Sequence, residues 1–296
     1  MESKDESAKS SRRGALKLMG GIGLFIACGD AQDTTDSGAP LSPTGELPAP
    51  SLATCDATFA QDEGPFFVSE RPLRADLTAD TTNVNATNGV PMRLRFTVYR
   101  VANDDCTPAE GVEVDVWHAD TGGLYSDLCV QGTEGDKSLR GYQITDAHGV
   151  VEFTTIFPGW YPGRTIHIHV KLRRYEGAVA VVDFTTQLYI DDAIADRVVS
   201  NGAYNTRGAR GVINSNDGLF TAVNNSGGMP IRLPENICEL VAAGEAPFGP
   251  NGRPPGDGPP PMVTADSMGP RLLLDTTEAS DGSGYLSSFS FGLVEA

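Results

Sequence analysis

The chain has 296 residues, 40% of them hydrophobic, and carries 39 Asp and Glu against 22 Lys and Arg, for a formal net charge of −17. That length and apolar fraction can bury one large core or two small ones. The negative field excludes a nucleic-acid partner, since binding phosphates requires the opposite sign, and an anionic ligand would need a local cation to offset it.

The first residues read as an address and not as structure. Ser11-Arg12-Arg13-Gly14-Ala15-Leu16-Lys17 resembles a twin-arginine export signal, with Ala15 where an aromatic residue is usual. The apolar run from Leu18 to Ala27 is too short to cross a bilayer as a helix, which takes about 20 residues. It ends in Phe25-Ile26-Ala27-Cys28, which resembles a lipoprotein cleavage box with Phe25 in place of an aliphatic residue. Residues 1–28 are therefore expected to direct export to the periplasm or cell surface, with membrane contact only through a lipid on Cys28. Residues 29–50, rich in Asp, Thr, Ser, Pro, Gly and Ala, read as a flexible tether to a single domain over 51–296. Of five cysteines, Cys55, Cys106, Cys129 and Cys238 remain, an even number that suits two disulfides in an oxidising compartment. Three pairings are open, and no Cys-x-x-Cys pair points to zinc.

Short runs rich in Val, Ile, Phe and Thr follow, separated by turn residues. Strands are predicted over Met92–Val101, Val112–His118, Val150–Thr155, Ile166–Arg173 and Phe184–Ile190, with further ones at Arg271–Asp275 and Gly284–Val294. Asp146-Ala147-His148-Gly149 marks a turn, with His148 in solvent. No long segment has helical periodicity. The expectation is an all-β chain, a sandwich of two mixed sheets with long loops and little helix. Residues 244–270, dominated by Gly, Pro and Asp, read as a loop insertion without a core of its own.

The richest stretch is Gly159-Trp160-Tyr161-Pro162-Gly163-Arg164-Thr165-Ile166-His167-Ile168-His169. On a strand, His167 and His169 leave the same face while Ile166, Ile168, Val170 and Leu172 point into a core. Two imidazoles on one rigid face make half of a metal site, although a His-x-His pair alone also fits two hydrogen-bonded histidines. Tyr161 sits in the turn entering that strand, and Tyr125 follows another strand end.

With these blocks the chain resembles the intradiol ring-cleavage dioxygenases, the family that includes catechol and protocatechuate dioxygenases. The resemblance is carried by Gln61-Asp62-Glu63-Gly64-Pro65-Phe66-Phe67, by Gly111 to Tyr125, by Arg140 to Asp146, by Phe153 to Lys171 and by Thr185-Thr186-Gln187-Leu188-Tyr189. It covers roughly residues 55–200, and the Gly-Trp-Tyr-x-Gly-Arg-x-x-His-Ile-His block is its most specific part. It implies a mononuclear non-haem iron(III) held by Tyr125, Tyr161, His167 and His169, with a catechol and O2 as substrates. The chemistry of the set agrees: phenols with an ordinary pKa of about 10 become phenolates beside a trivalent cation. Phenolates are hard anionic donors that favour ferric iron, unlike the two-His, one-carboxylate site of ferrous oxygenases. The resemblance further implies that Tyr161 leaves the metal and takes a substrate proton, that Arg164 stabilises developing negative charge, and that Gln187 supports the site from behind. The ring would open between its hydroxylated carbons to a cis,cis-muconate. A homodimer is an expectation from the family alone.

Other residues have plainer readings. His118 is expected to be structural, Trp117 and Trp160 to lie in the core, and Lys171, Arg173 and Arg174 to be solvated charges. Phe66 stands where many relatives carry tyrosine, which favours a more apolar catechol. Two competing readings are a non-catalytic transthyretin-like sandwich module, which lacks the Tyr, Tyr, His, His set, and a zinc or copper enzyme, which the tyrosines disfavour.

Overall fold

Alternation along Pro91–Ala102 (β1) sends Met92, Leu94, Phe96 and Val98 into the core and turns Arg93 and Arg95 outward, where both meet Glu152 across the sheet. The computed structural model describes residues 42–48, 55–79, 81, 83–103, 105–200, 202–223, 237–243 and 266–294. The export signal, residues 29–41 and 49–50 of the tether and most of the 244–270 insertion lie outside these residues. The described residues belong to one compact unit, Ala39–Ala296.

The remaining strands are Asp105–Pro108 (β2), Glu113–Trp117 (β3), Arg140–Ile144 (β4), Val150–Ile156 (β5), His167–Glu176 (β6), Val179–Tyr189 (β7), Asp275–Glu278 (β8) and Tyr285–Leu293 (β9). They form two sheets. In the five-stranded sheet β1 pairs antiparallel with β2 and β5 and parallel with β9, which in turn pairs with β8. The four-stranded sheet runs β4-β3-β6-β7 and is antiparallel throughout. The expectation of two mixed sheets holds for the five-stranded sheet and is corrected for the four-stranded one. Only β9, returning from the far end of the chain, lies parallel to its neighbour, whereas β6 and β7 are joined by a tight hairpin at Gly177.

One apolar cluster takes Met92, Leu94, Phe96 and Val98 from β1, Phe153 from β5 and Phe291 from β9, together with Val114 and Val116 of β3 and Ile168, Val170 and Leu172 of β6. Each such side chain buried contributes roughly 1.5–3 kcal/mol. The two sheets therefore share a core. The opposite face of the four-stranded sheet carries His167, His169, Lys171 and Arg173 from β6 in register with Trp117, Asp115 and Glu113 from β3.

Differences from the sequence reading are local. Arg271–Asp275 is not a strand: Gly269–Leu272 is a 3-10 turn and β8 begins only at Asp275. Pro270 at the head of that turn favours the tight helical geometry. The strands β2 and β4 and the helix Asp192–Val199 (α2) were not predicted. That helix starts at Asp191, whose carboxylate accepts from the N–H groups of Ala193 and Ile194. Among the described residues the further short α-helices are Val84–Thr87 (α1), Gly218–Thr221 (α3) and Ile237–Ala242 (α4). The disulfides are Cys55–Cys106 and Cys129–Cys238, one of the three open pairings.

Candidate metal centre

The antiparallel register of β3, β6 and β7 places Trp117 opposite His169 and Gln187 on its other side. Both histidines are buried, and Trp117 stacks on His169 with centroids 4.8 Å apart and planes 8° from parallel. Tyr125 and Tyr161 arrive on loops. Their approach depends on Gly123, at φ +77°, where a Cβ would lie 2.1 Å from the Trp160 carbonyl oxygen. Any larger residue would push the Tyr125 loop away from the Tyr161 turn.

Four donor atoms converge. The Nε2 of His167 lies 3.3 Å from Tyr125 Oη, 3.1 Å from Tyr161 Oη and 3.2 Å from His169 Nε2. His169 Nε2 is 3.1 Å from Tyr125 Oη. Donors about 2.1 Å from a shared ion lie roughly 3–3.5 Å from one another, so the cluster has the size of a transition-metal coordination shell. The Nδ1–H of His167 donates to the Thr165 carbonyl at 2.6 Å, which leaves Nε2 with its lone pair aimed at the cluster. His169 Nδ1 has no hydrogen-bond partner among the described residues. Two imidazole nitrogens set face to face at this separation repel unless a proton or a cation sits between them. The residues fit a metal.

Electrostatics agrees. Burial, with the Arg164 charge adding to it, lowers the His167 pKa to about 3, and burial beside His167 holds His169 well below its usual value. Both rings are therefore neutral at physiological pH, the form that can bind a metal. Burial lifts the Tyr125 phenol well above its usual value, with Tyr161 adding to the rise. Burial also raises Tyr161, although the Arg164 charge opposes this. Without a cation both phenols stay protonated, and a bound cation would supply the charge that ionises them.

Arg164 and Gln187 stand beside this cluster. Arg164 Nη2 donates to Gln187 Oε1 at 2.6 Å, and its Nε donates to Asp217 Oδ2 at 2.8 Å. Its charge lies near enough to the Tyr161 phenol to oppose the rise in that group's pKa. Burial alone would lower the Arg164 pKa, but Asp217 outweighs it and holds the group charged. Gln187 Nε2 donates to the Asp62 carbonyl at 2.7 Å. Phe66 lies 4.8 Å from the Tyr125 ring and 6.1 Å from that of Tyr161, measured between centroids.

His118 points away from the donors. It pairs with the Ala119 carbonyl at 2.9 Å and Thr155 Oγ1 at 2.7 Å. Trp117 and Trp160 are buried and His148 is exposed. Lys171 and Arg173 correct the sequence reading. Both are buried, Lys171 between Glu63 and Asp183 at 2.7 Å each, and Arg173 between Glu113 and Asp115 at 2.6 Å each. They share the histidine face, and Phe67 lies over both cations. Arg174, on the other side of the strand, is half-buried. The sequence reading missed Asp217 and the role of Gly64, whose Cβ would meet His169 Cε1 at 3.3 Å. The Glu-Gly-Pro block carried a signal for Gly64, while nothing local tied Asp217 to Arg164.

Comparison with known proteins supplies the context. Residues 62–215, more than half of the chain, match the Dioxygenase_C family model, described as Dioxygenase. Catechol 1,2-dioxygenase 1 of Acinetobacter lwoffii is 32% identical over 99 residues, 33% of this chain and 30% of that protein. Hydroxyquinol 1,2-dioxygenase of Rhodococcus opacus is 32% identical over 107 residues, 36% of this chain and 33% of that protein. The matches thus span about a third of these relatives. The structure of an intradiol ring-cleavage dioxygenase from Tetranychus urticae superposes with a TM-score of 0.54 at 21% identity, covering 81% of this chain and 95% of that one, and shares its fold. By the matched residues and the fold they build, the chain belongs to the intradiol ring-cleavage dioxygenase family.

Proposed function

We propose that this chain is an iron(III) dioxygenase that opens a catechol-type ring between its two hydroxylated carbons, placing both atoms of O2 in a cis,cis-muconate. The observation that carries the reading is the convergence of Tyr125, Tyr161, His167 and His169 beside a charged Arg164. Those four residues would hold the ion, which would supply Lewis acidity toward a chelating catecholate and so dispose its ring to react with O2.

The chain's own residues do the rest. His167 and His169 are fixed by strand register and serve as the rigid half of the site. Tyr161 sits on a turn and is the donor freest to swing; its Oη is the atom that takes a catechol proton. Its raised pKa, caused first by burial, favours the protonated phenol once that proton arrives. Arg164 stabilises negative charge on the oxygens beside Tyr161, in surroundings where a fixed cation counts for more than in water. Phe66 offers an apolar wall against Tyr125 and Tyr161 and keeps water from the ring. That wall supports a substrate no more polar than the catechol head group requires.

The sheets that share one core are read as a sandwich within a single domain over 51–296, carrying the 244–270 insertion. Export remains part of the proposal: residues 1–28 as a twin-arginine signal, Cys28 as a lipid acceptor and 29–50 as a tether. The two disulfides support an oxidising destination. A homodimer is proposed on the family relationship.

Loading purified protein with ferric iron should give a red to brown phenolate charge-transfer colour. Oxygen uptake should follow on adding catechol, protocatechuate, hydroxyquinol or a larger lignin-like catechol. Tyr161→Phe and His169→Ala should weaken colour or turnover. Iron-loaded protein without colour, or wild-type ring cleavage by both variants, would end this reading.

A further inference from the structure

We propose that Asp217 is the positioning residue for Arg164, and that it ties the guanidinium, held against Gln187, to the backbone from which His167 hangs. The inference rests on the proposed role of Arg164. Asp217 lies two residues past the stretch that matches the family, which ends at residue 215. It is nevertheless fully buried, at 0% exposure.

Its two carboxylate oxygens carry different main contacts, although both reach Arg164. Oδ1 accepts from the N–H groups of Leu219 and Phe220 at 2.9 and 3.1 Å and so caps α3. Oδ2 accepts from Arg164 Nε and from the Thr165 N–H, both at 2.8 Å. A cap alone needs one oxygen and no burial. The carboxylate thus meets the guanidinium along its Nε and Nη2 atoms, and Nη2, 3.5 Å from Oδ1, is the atom that donates to Gln187. Charge-assisted pairs of this kind fix orientation as well as energy.

Thr165 extends the effect to the metal side. Its N–H is held by Asp217 and its carbonyl accepts from His167 Nδ1 at 2.6 Å. Its hydroxyl donates to Asn214, whose amide reaches the Ile190 carbonyl at 2.9 Å. Residues 214–221 thus act as a brace behind the turn that carries Arg164. An arginine without that brace would keep its charge but lose its fixed bearing on Gln187 and the donor cluster beside it.

The test compares Asp217→Asn with wild type, using iron-loaded full-length protein. Asn retains an oxygen for the α3 cap but presents no second acceptor to Arg164 and Thr165. The expected result is a loss of kcat of roughly 10- to 100-fold, the usual cost of removing such a supporting contact, with KM changed far less. The phenolate charge-transfer band should shift as Tyr161 loses its aligned cation. In an Arg164→Gln background the same substitution should change kcat less than about twofold, because partners acting as one unit are not additive. Equal losses in both backgrounds, or an unchanged band and kcat, would overturn the proposal. Asp217→Glu and Asp217→Gln, equal in length and different in charge, carry the test should Asp217→Asn not fold: the Glu variant should turn over about tenfold faster, and equality would overturn the proposal. If Arg164→Gln itself retained full turnover, the proposed role of Arg164 would fail. If that variant lost turnover while Asp217→Asn did not, only the present inference would fall.

Discussion

Breaking the Cys129–Cys238 disulfide should weaken metal binding, whereas breaking Cys55–Cys106 should not. Cys129 sits inside the loop that presents Tyr125. The Tyr125 N–H donates to Gln131 Oε1 at 2.5 Å, Thr133 Oγ1 donates to the Tyr125 carbonyl at 2.7 Å, and Leu128 packs with Tyr125 in one cluster. The bond joins this loop to Cys238 on α4. Global stability does not separate the two bridges. They span 109 and 51 residues, so the chain-entropy relation gives about 5 and about 4 kcal/mol. At 2–4 °C per kcal/mol, each loss should lower Tm by roughly 10–20 °C. Only the first bridge holds the loop that carries Tyr125. Paired Cys→Ser variants, C129S/C238S and C55S/C106S, would be compared by thermal unfolding and by ferric titration of the charge-transfer band. The expected outcome is similar Tm losses, with iron affinity about tenfold weaker in C129S/C238S alone. Equal iron affinity in the two variants, or weaker binding in C55S/C106S, would refute the argument.

Three other outcomes are expected. His118 has its pKa lowered by burial to about 4, against an ordinary value of 6.5. Its neutral form therefore stabilises the fold fully above pH 6.5, and about 3 kcal/mol is lost as pH falls to about 4. Thermal unfolding from pH 7.5 to 4.5 should show a shallower slope in His118→Gln, and an identical slope would contradict the assignment. Gly64→Ala places a side chain at φ +72° and 3.3 Å from His169 Cε1. It should cost about 1–2 kcal/mol and weaken iron binding, read by the same titration; unchanged affinity would show that His169 has room to give. Phe66→Tyr adds a hydroxyl beside Tyr125 and should raise kcat/KM for hydroxyquinol over catechol about fivefold, the worth of one net hydrogen bond. No change in that ratio would place Phe66 outside the substrate wall.

The apolar positions of β1, β3, β5, β6 and β9 were legible because their alternation has the period of a strand. The strand β4 escaped because Arg140-Gly141-Tyr142-Gln143-Ile144 has no such alternation. Its arginine is buried by bonding to Ser126, and its Tyr142 N–H by the Pro72 carbonyl. α2 escaped because eight residues give barely two turns of periodicity, and its start is set by the Asp191 cap. Among the site residues, His167 and His169 could be placed on one face from spacing alone, and Tyr161 close to them by the turn. Tyr125 could not, since its approach depends on Gly123 meeting the Trp160 carbonyl, a contact between residues far apart in sequence. The resemblance to a family supplied what spacing lacked.

Lys171 and Arg173 show where pattern reading must fail. In His167-Ile168-His169-Val170-Lys171-Leu172-Arg173, strict alternation of apolar and polar residues is the signature of a strand with one face in water. Yet all seven side chains are buried. The difference lies in the segment carrying Glu63, Phe67 and Arg71, which lies across the polar face and brings its own counter-charges. Glu63 meets Lys171, Phe67 lies over both cations, and Arg71 meets Glu113. The same segment sets Gly64 against His169 and Phe66 against Tyr125. Burial of the charged ladder and closure over the candidate metal centre therefore go together in this fold. A buried cation left without its carboxylate costs far more than a surface pair is worth. The ladder thus makes the covering segment difficult to lift, and the two histidines inherit a dry, fixed setting from charges up to six residues away along their own strand.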